Sequence, residues 1–116
     1  MNDPRLTQGI PVLPTLDRDN TAEFYLSKLG FVKLLDAPLT ITRDSVVLQF
    51  WDCEDKAIAE NSGCRIEVEN IDVLHTEYEP LGVLHPNAPL EDKPWGLREF
   101  AILDPDRNLI TFFQSL

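Results

Sequence analysis

The most distinctive chemical group in this sequence is an indole on a corner. Trp95 stands between Pro94 and Gly96, just before an apolar stretch begins. A flat ring held there can offer a face to an aromatic or cationic partner. Packing under the Pro-rich segment 86–94 is the competing reading. Arg98 and Glu99 follow closely, and read either as a structural ion pair or as groups that orient the loop. The two histidines, His75 and His85, fall on a candidate helix and at the start of the Pro-rich segment. Isolated imidazoles of this kind are more often surface groups than ligands. There is no Gly-x-Ser-x-Gly, no phosphate loop and no His-Glu-x-x-His. With no nucleophile–base pair in view, no residue is assigned a catalytic role, and the chemistry on offer is binding.

Charge narrows the partners. Twenty acidic residues against ten basic ones give a formal net charge of -10. Nucleic-acid binders carry a basic face, so that class is excluded. An acidic cleft instead concentrates cations, although the same surplus also serves solubility. Met1-Asn-Asp-Pro-Arg5 has no apolar core of a signal peptide, and no apolar run approaches the ~20 residues of a membrane span. The expected setting is therefore cytoplasmic, with Cys53 and Cys64 reduced rather than bridged.

The elements that must position Trp95 follow from pattern. A chain of 116 residues, 43% of them apolar, makes one domain. Gln8–Leu13 reads as a short strand ended by Pro14. Pro11 lacks an N–H, which makes this an edge strand. Asp17–Thr21 is rich in capping residues and opens a helix closed by Gly30. Strands follow over 31–35, 39–42 and 46–51, then a polar connector over 52–63. Cys64–Glu69 alternates as a strand, and 70–80 carries helical spacing with Asn70 or Asp72 as cap. Val83–His85 reads as a short strand. A closing hairpin, 97–103 and 109–113, turns at Asp104-Pro-Asp106. Each half is β-α-β-β-β, module one over about 7–52 and module two over about 63–116. Leu29-Gly-Phe31 aligns with Leu81-Gly-Val83, and Asp44–Phe50 aligns with Asp106–Phe112. The fold class is α+β, built from two such modules.

Particular residues carry a family likeness. Pro11-Val-Leu13, Asp17, Glu23-Phe-Tyr25, Leu29-Gly-Phe31, Arg43-Asp44, Pro94-Trp-Gly-Leu-Arg-Glu-Phe100 and Asp104-Pro-Asp106 together resemble the bleomycin-resistance proteins. These form a branch of the glyoxalase / vicinal-oxygen-chelate superfamily. The resemblance spans nearly the whole chain. It implies two curved mixed sheets around a cavity, each with a helix on its convex side. It also implies a homodimer with an exchanged N-terminal strand, in which Pro11 matches the proline associated with exchange.

Enzymes of this superfamily hold a divalent metal through His and Glu. The matching positions here are Ile10, Gln49, Gly63 and Thr111, with Cys64 beside the third. Such a set is poor for a hard cation, so no metal and no cofactor is expected. A metal-dependent glyoxalase or dioxygenase, or a binder of some other small molecule, is the alternative reading. Strand alternation then places Gln49, Trp51, Arg65, Glu67, Thr111 and Phe113 on the concave side. The resemblance implies that Trp95 stacks on the flat bithiazole of bleomycin. The family's second stacking aromatic has no counterpart in Asp36-Ala-Pro-Leu39. Leu39 or Pro38 stands in for it there, with Trp51 as the other candidate.

Overall fold

The computed structural model describes residues 2–116, and Met1 lies outside the described residues. The strands are β1 (Val12–Thr15), β2 (Val32–Asp36), β3 (Leu39–Arg43), β4 (Val46–Asp52), β5 (Gly63–Glu67), β6 (Glu91–Asp92), β7 (Leu97–Leu103) and β8 (Leu109–Ser115). The helices are α1 (Arg18–Lys28), α2 (Lys56–Glu60) and α3 (Ile71–Tyr78). They form two four-stranded mixed sheets of the same plan, β1-β4-β3-β2 and β5-β8-β7-β6. In each, the first strand runs parallel to the last, and the remaining pairs are antiparallel. The repeated β-α-β-β-β plan read from the sequence is therefore the architecture.

Local chemistry sets the boundaries. Asp17 accepts a hydrogen bond from Asn20 N at 3.1 Å and caps α1. Gly30, at φ +80°, ends it. The first strand starts later than the sequence suggests and carries Pro14 inside it. Gln49 N donates to Pro11 O and Cys53 N donates to Thr15 O. By alternation the nitrogen of Pro14 then faces away from β4, where no ladder bond is lost. The polar connector contains α2, capped by Asp55. Asn70 precedes α3 in the left-handed region (φ +59°) and makes no side-chain cap. Gln114 Oε1 accepts from Ile71 N in its place, at 2.8 Å. Val83–His85 is not a strand but a single bridge, Leu84 to Ile102. The strand of this region is β6, inside the Pro-rich segment, paired with β7.

The core lies on the helix side of both sheets and is continuous between them. Tyr25 and Leu29 meet Leu39, Ile41, Leu48 and Phe50, while Ile71 and Tyr78 meet Phe100, Ile102, Ile110 and Phe112. Each long helix also sends a tyrosine into the other module. Tyr25 Oη donates to Asp104 Oδ2 at 2.9 Å, and Tyr78 Oη donates to the Leu29 carbonyl at 2.9 Å. Thr15 and Thr21 donate to Asp106 Oδ2, and Asn108 Nδ2 donates to Pro14 O. The Asp-Pro-Asp turn of module two is thus seated on β1 and α1 of module one. Burial pushes the Asp104 carboxyl up, while donors from Asn108 and Tyr25 pull against that shift.

Candidate functional site

The faces turned away from the core carry the candidate residues. In the second sheet the pairing sets Glu67, Phe113, Glu99 and Glu91 in one row across β5, β8, β7 and β6. The adjacent row holds Arg65, Thr111 and Ala101. Trp95 sits on the turn before β7, 62% exposed. Gly96 follows it at φ +87°, a conformation glycine adopts without strain. The indole is not tucked under the Pro-rich segment. Its Nε1–H donates to Glu99 Oε2 at 2.9 Å.

Glu99 is the residue that sequence reasoning placed least well. Arg98 and Glu99 point to opposite faces of β7 and do not pair. Arg98 holds Asp92 and Asp72. Glu99, only 6% exposed, accepts from Arg65 Nη2 at 2.6 Å as well as from Trp95. The Arg65 bond above all, with help from Trp95, keeps its carboxyl below the usual range despite burial. Arg65 in turn lies over the Phe113 ring, 4.8 Å from its centroid. The signal for this was the strand period: positions 65, 67, 99, 111 and 113 share a face only once β5, β7 and β8 are in register.

The first sheet presents Gln49 and Trp51 on the corresponding face. Gln49 Nε2 donates to Thr40 Oγ1 at 3.3 Å. Trp51 is 43% exposed, and Val12, Val32 and Leu35 widen the same apolar surface. Leu39 is different. It is fully buried, on the side of Ile41 and facing α1, so it offers no surface to a ligand. Alternation explains the correction, because Thr40, not Leu39, pairs with Gln49. Nor does one chain gather the whole predicted lining. No hydrogen bond or ion pair among the described residues joins Gln49 or Trp51 to the Arg65, Glu67, Thr111 and Phe113 set. The sheets meet through their helix sides, so their open faces are left apart. A cavity of about 560 Å³ between the β3–β4 turn and α3 is lined by Glu67 among others, but not by Trp51, Trp95 or Thr111.

The metal positions can be tested against the register. Val12, not Ile10, lies beside Gln49, and Arg65, not Gly63, lies beside Thr111. A donor set of an amide, a hydroxyl, an alkyl chain and a guanidinium does not fit a divalent cation. At Gly63 a side chain has no room, since a Cβ would meet Leu109 O at 2.3 Å. Cys64 faces the helix side, and burial, with a contribution from Asp104, raises its thiol to about 11. Both cysteines are free. His75 packs edge-on against Phe100, and His85 Nδ1 accepts from Asn87 N.

Paired β-α-β-β-β modules of this kind define the glyoxalase / vicinal-oxygen-chelate fold. A glyoxalase-related enzyme from Clostridium phytofermentans superposes with a TM-score of 0.79 over 100% of both chains, at 20% identity. A bleomycin-binding protein from bleomycin-producing Streptomyces verticillus, solved with copper(II)-bleomycin, is closer at a TM-score of 0.86. It is 28% identical, covering 98% of this chain and 100% of that one. The bleomycin resistance protein of Geobacillus stearothermophilus is 38% identical, covering 96% of this chain and 98% of its own length. No protein-family model matches the chain. On the strength of that relative, the chain belongs to the bleomycin resistance protein family.

Proposed function

We propose that this protein confers resistance by holding a bleomycin-type cationic glycopeptide without chemical change. The observation that carries the reading is Trp95: an exposed indole pinned at the edge of a row of three glutamates, Glu67, Glu91 and Glu99. The ring already attracts a cation of its own chain. Lys93 Nζ stands 5.9 Å from the Trp95 centroid, within the range of a cation–π contact. A flat cationic ligand would use the same face or the opposite one. Trp51, Gln49, Thr111 and Phe113 complete the lining in this reading. The amide, hydroxyl, alkyl and guanidinium groups of Gln49, Thr111, Val12 and Arg65 do not suit a divalent cation, and in this reading binding alone sequesters the drug without a chemical step.

The groove is completed by a second copy. Residues 2–10 all lie exposed ahead of Pro11, and Leu6 is fully exposed. An apolar residue extended from the body in this way suits an arm that packs on a partner. β5 is bonded to β8 along one edge only, which leaves its other edge able to receive such an arm. A homodimer of this kind brings the Gln49–Trp51 face of one chain to the Trp95–Glu99 face of the other. The protein works in the cytoplasm, where its two thiols stay reduced.

Titration with bleomycin, followed by tryptophan fluorescence, tests the function. Wild-type protein is expected to quench saturably at micromolar ligand or below, and Trp95→Ala to lose the response. Absence of saturation by the wild-type protein at high concentration overturns the reading.

A further inference from the structure

We propose that Glu99 is the positioning residue of this site: its Oε2 fixes the plane of the Trp95 indole and holds Arg65 on the Phe113 ring. The consequence is that the Trp95 ring is presented in one fixed orientation, while a face of Phe113 is already covered. The inference deepens the binding function proposed above and rests on it for the ligand.

Three observations carry it. Both donors converge on one oxygen, Trp95 Nε1 at 2.9 Å and Arg65 Nη2 at 2.6 Å. The carboxylate that receives them is almost fully buried, although the indole and guanidinium are each about half or more exposed. A buried anion with charged and neutral donors on one atom is a rigid anchor. Two exposed side chains attached to it lose motion they would otherwise have. Finally, the guanidinium 4.8 Å from the Phe113 centroid already occupies a face of that ring.

Electrostatics give the anchor a second effect. Glu99 and Arg65 neutralise each other, so the net negative charge near the indole falls to Glu67 and Glu91. Glu91 is itself bonded to Lys93. A cationic group on a stacked ligand would therefore meet Glu67 as the carboxylate of that row without an ion pair among the described residues. Glu99 sets the ring, and Glu67 is left to attract.

The experiment uses Trp51→Phe as background, so that Trp95 is the sole tryptophan. Time-resolved anisotropy and acrylamide quenching report how firmly the indole is held, with no ligand present. Glu99→Ala is expected to lose the slow anisotropy component and to raise quenching. Glu99→Gln keeps an acceptor oxygen and is expected to fall between the two. If the alanine variant fails to fold, Glu99→Met preserves volume without an acceptor and gives the same comparison. In bleomycin titrations by calorimetry, made with Trp51 retained, Glu99→Ala is expected to bind about tenfold more weakly than wild type, the equivalent of one hydrogen bond's ordering. Unchanged anisotropy and quenching in the alanine or methionine variant overturn the proposal. So does looser tryptophan with unchanged affinity. Failure of the wild-type protein to bind bleomycin refutes the function instead, and the ligand-free measurements still decide the role of Glu99.

Discussion

Gly63 illustrates how backbone packing alone can dictate a residue's identity. Its missing side chain is a packing requirement, because an added Cβ would strike the carbonyl oxygen of Leu109, a backbone atom that cannot swing aside. Gly63→Ala should cost about 2 kcal/mol or more, in the range of strained overpacking. Thermal unfolding would show this as a fall in Tm of several degrees. Gly63→His should fold no better, since its Cβ would meet the same carbonyl oxygen. Asp104 makes a second prediction, through pH. Its folded-state pKa is raised, so it contributes stability at pH below the unfolded carboxyl range and loses that contribution as pH rises through the folded value. Glu99, whose pKa is lowered, acts in the opposite sense: its contribution is present above the unfolded range and lost as pH falls. Denaturant unfolding from pH 7 down to pH 4 should therefore find wild-type protein gaining on Asp104→Asn. Over the same range wild type should lose ground to Glu99→Gln.

At the scale of elements, the two long helices are tied to the opposite module by one phenol each. Tyr78→Phe removes a donor from the Leu29 carbonyl, which retains Arg43 Nη1 at 2.8 Å. Tyr25→Phe takes a donor from a buried carboxylate. The second change should cost more, about 2–3 kcal/mol against about 1 kcal/mol, since hydrogen bonds to charged groups are the stronger class. Equilibrium unfolding of the two variants ranks them directly. These ties were not legible in the sequence. Tyr25 and Tyr78 read only as helix positions, and nothing local indicates a partner 79 or 49 residues away. The strands and helices themselves were legible, because Leu48 and Phe50, or Ile110 and Phe112, alternate with half-exposed neighbours. What failed was register and turn chemistry. The sequence reads Pro14 as a stop, whereas the outer side of an edge strand tolerates it. The resemblance puts Leu39 in place of the second stacking aromatic, but the register gives the open face to Thr40 instead. The Arg65–Glu99–Trp95 cluster needed three strands in register before it could be recognised.

For the whole molecule, the proposed groove calls for a second copy, and the exposed segment 2–10 is the part of the chain that proposal assigns to the contact. Deleting residues 2–10 should shift the protein toward monomer in sedimentation velocity and weaken bleomycin binding, while leaving far-ultraviolet circular dichroism nearly unchanged. An unaltered sedimentation coefficient would show that the segment has no part in assembly. In the proposed dimer the open faces of the two sheets come from different copies, because within one chain their covered faces are already joined. That junction has a further result for how the gene could be divided. Asp104, Asp106 and Asn108 find their donors and acceptors on Thr15, Thr21, Tyr25 and Pro14. Each module alone would expose half of a polar socket and half of a common core. The chain between them, around Asn61 and Ser62, lies at the surface and carries little of that load. Two polypeptides broken there should be unstable apart yet reassemble when made together. Cells producing both would then recover growth on bleomycin, and cells producing either alone would not. The protein would thus serve as a selectable reporter of whether two fused partners associate.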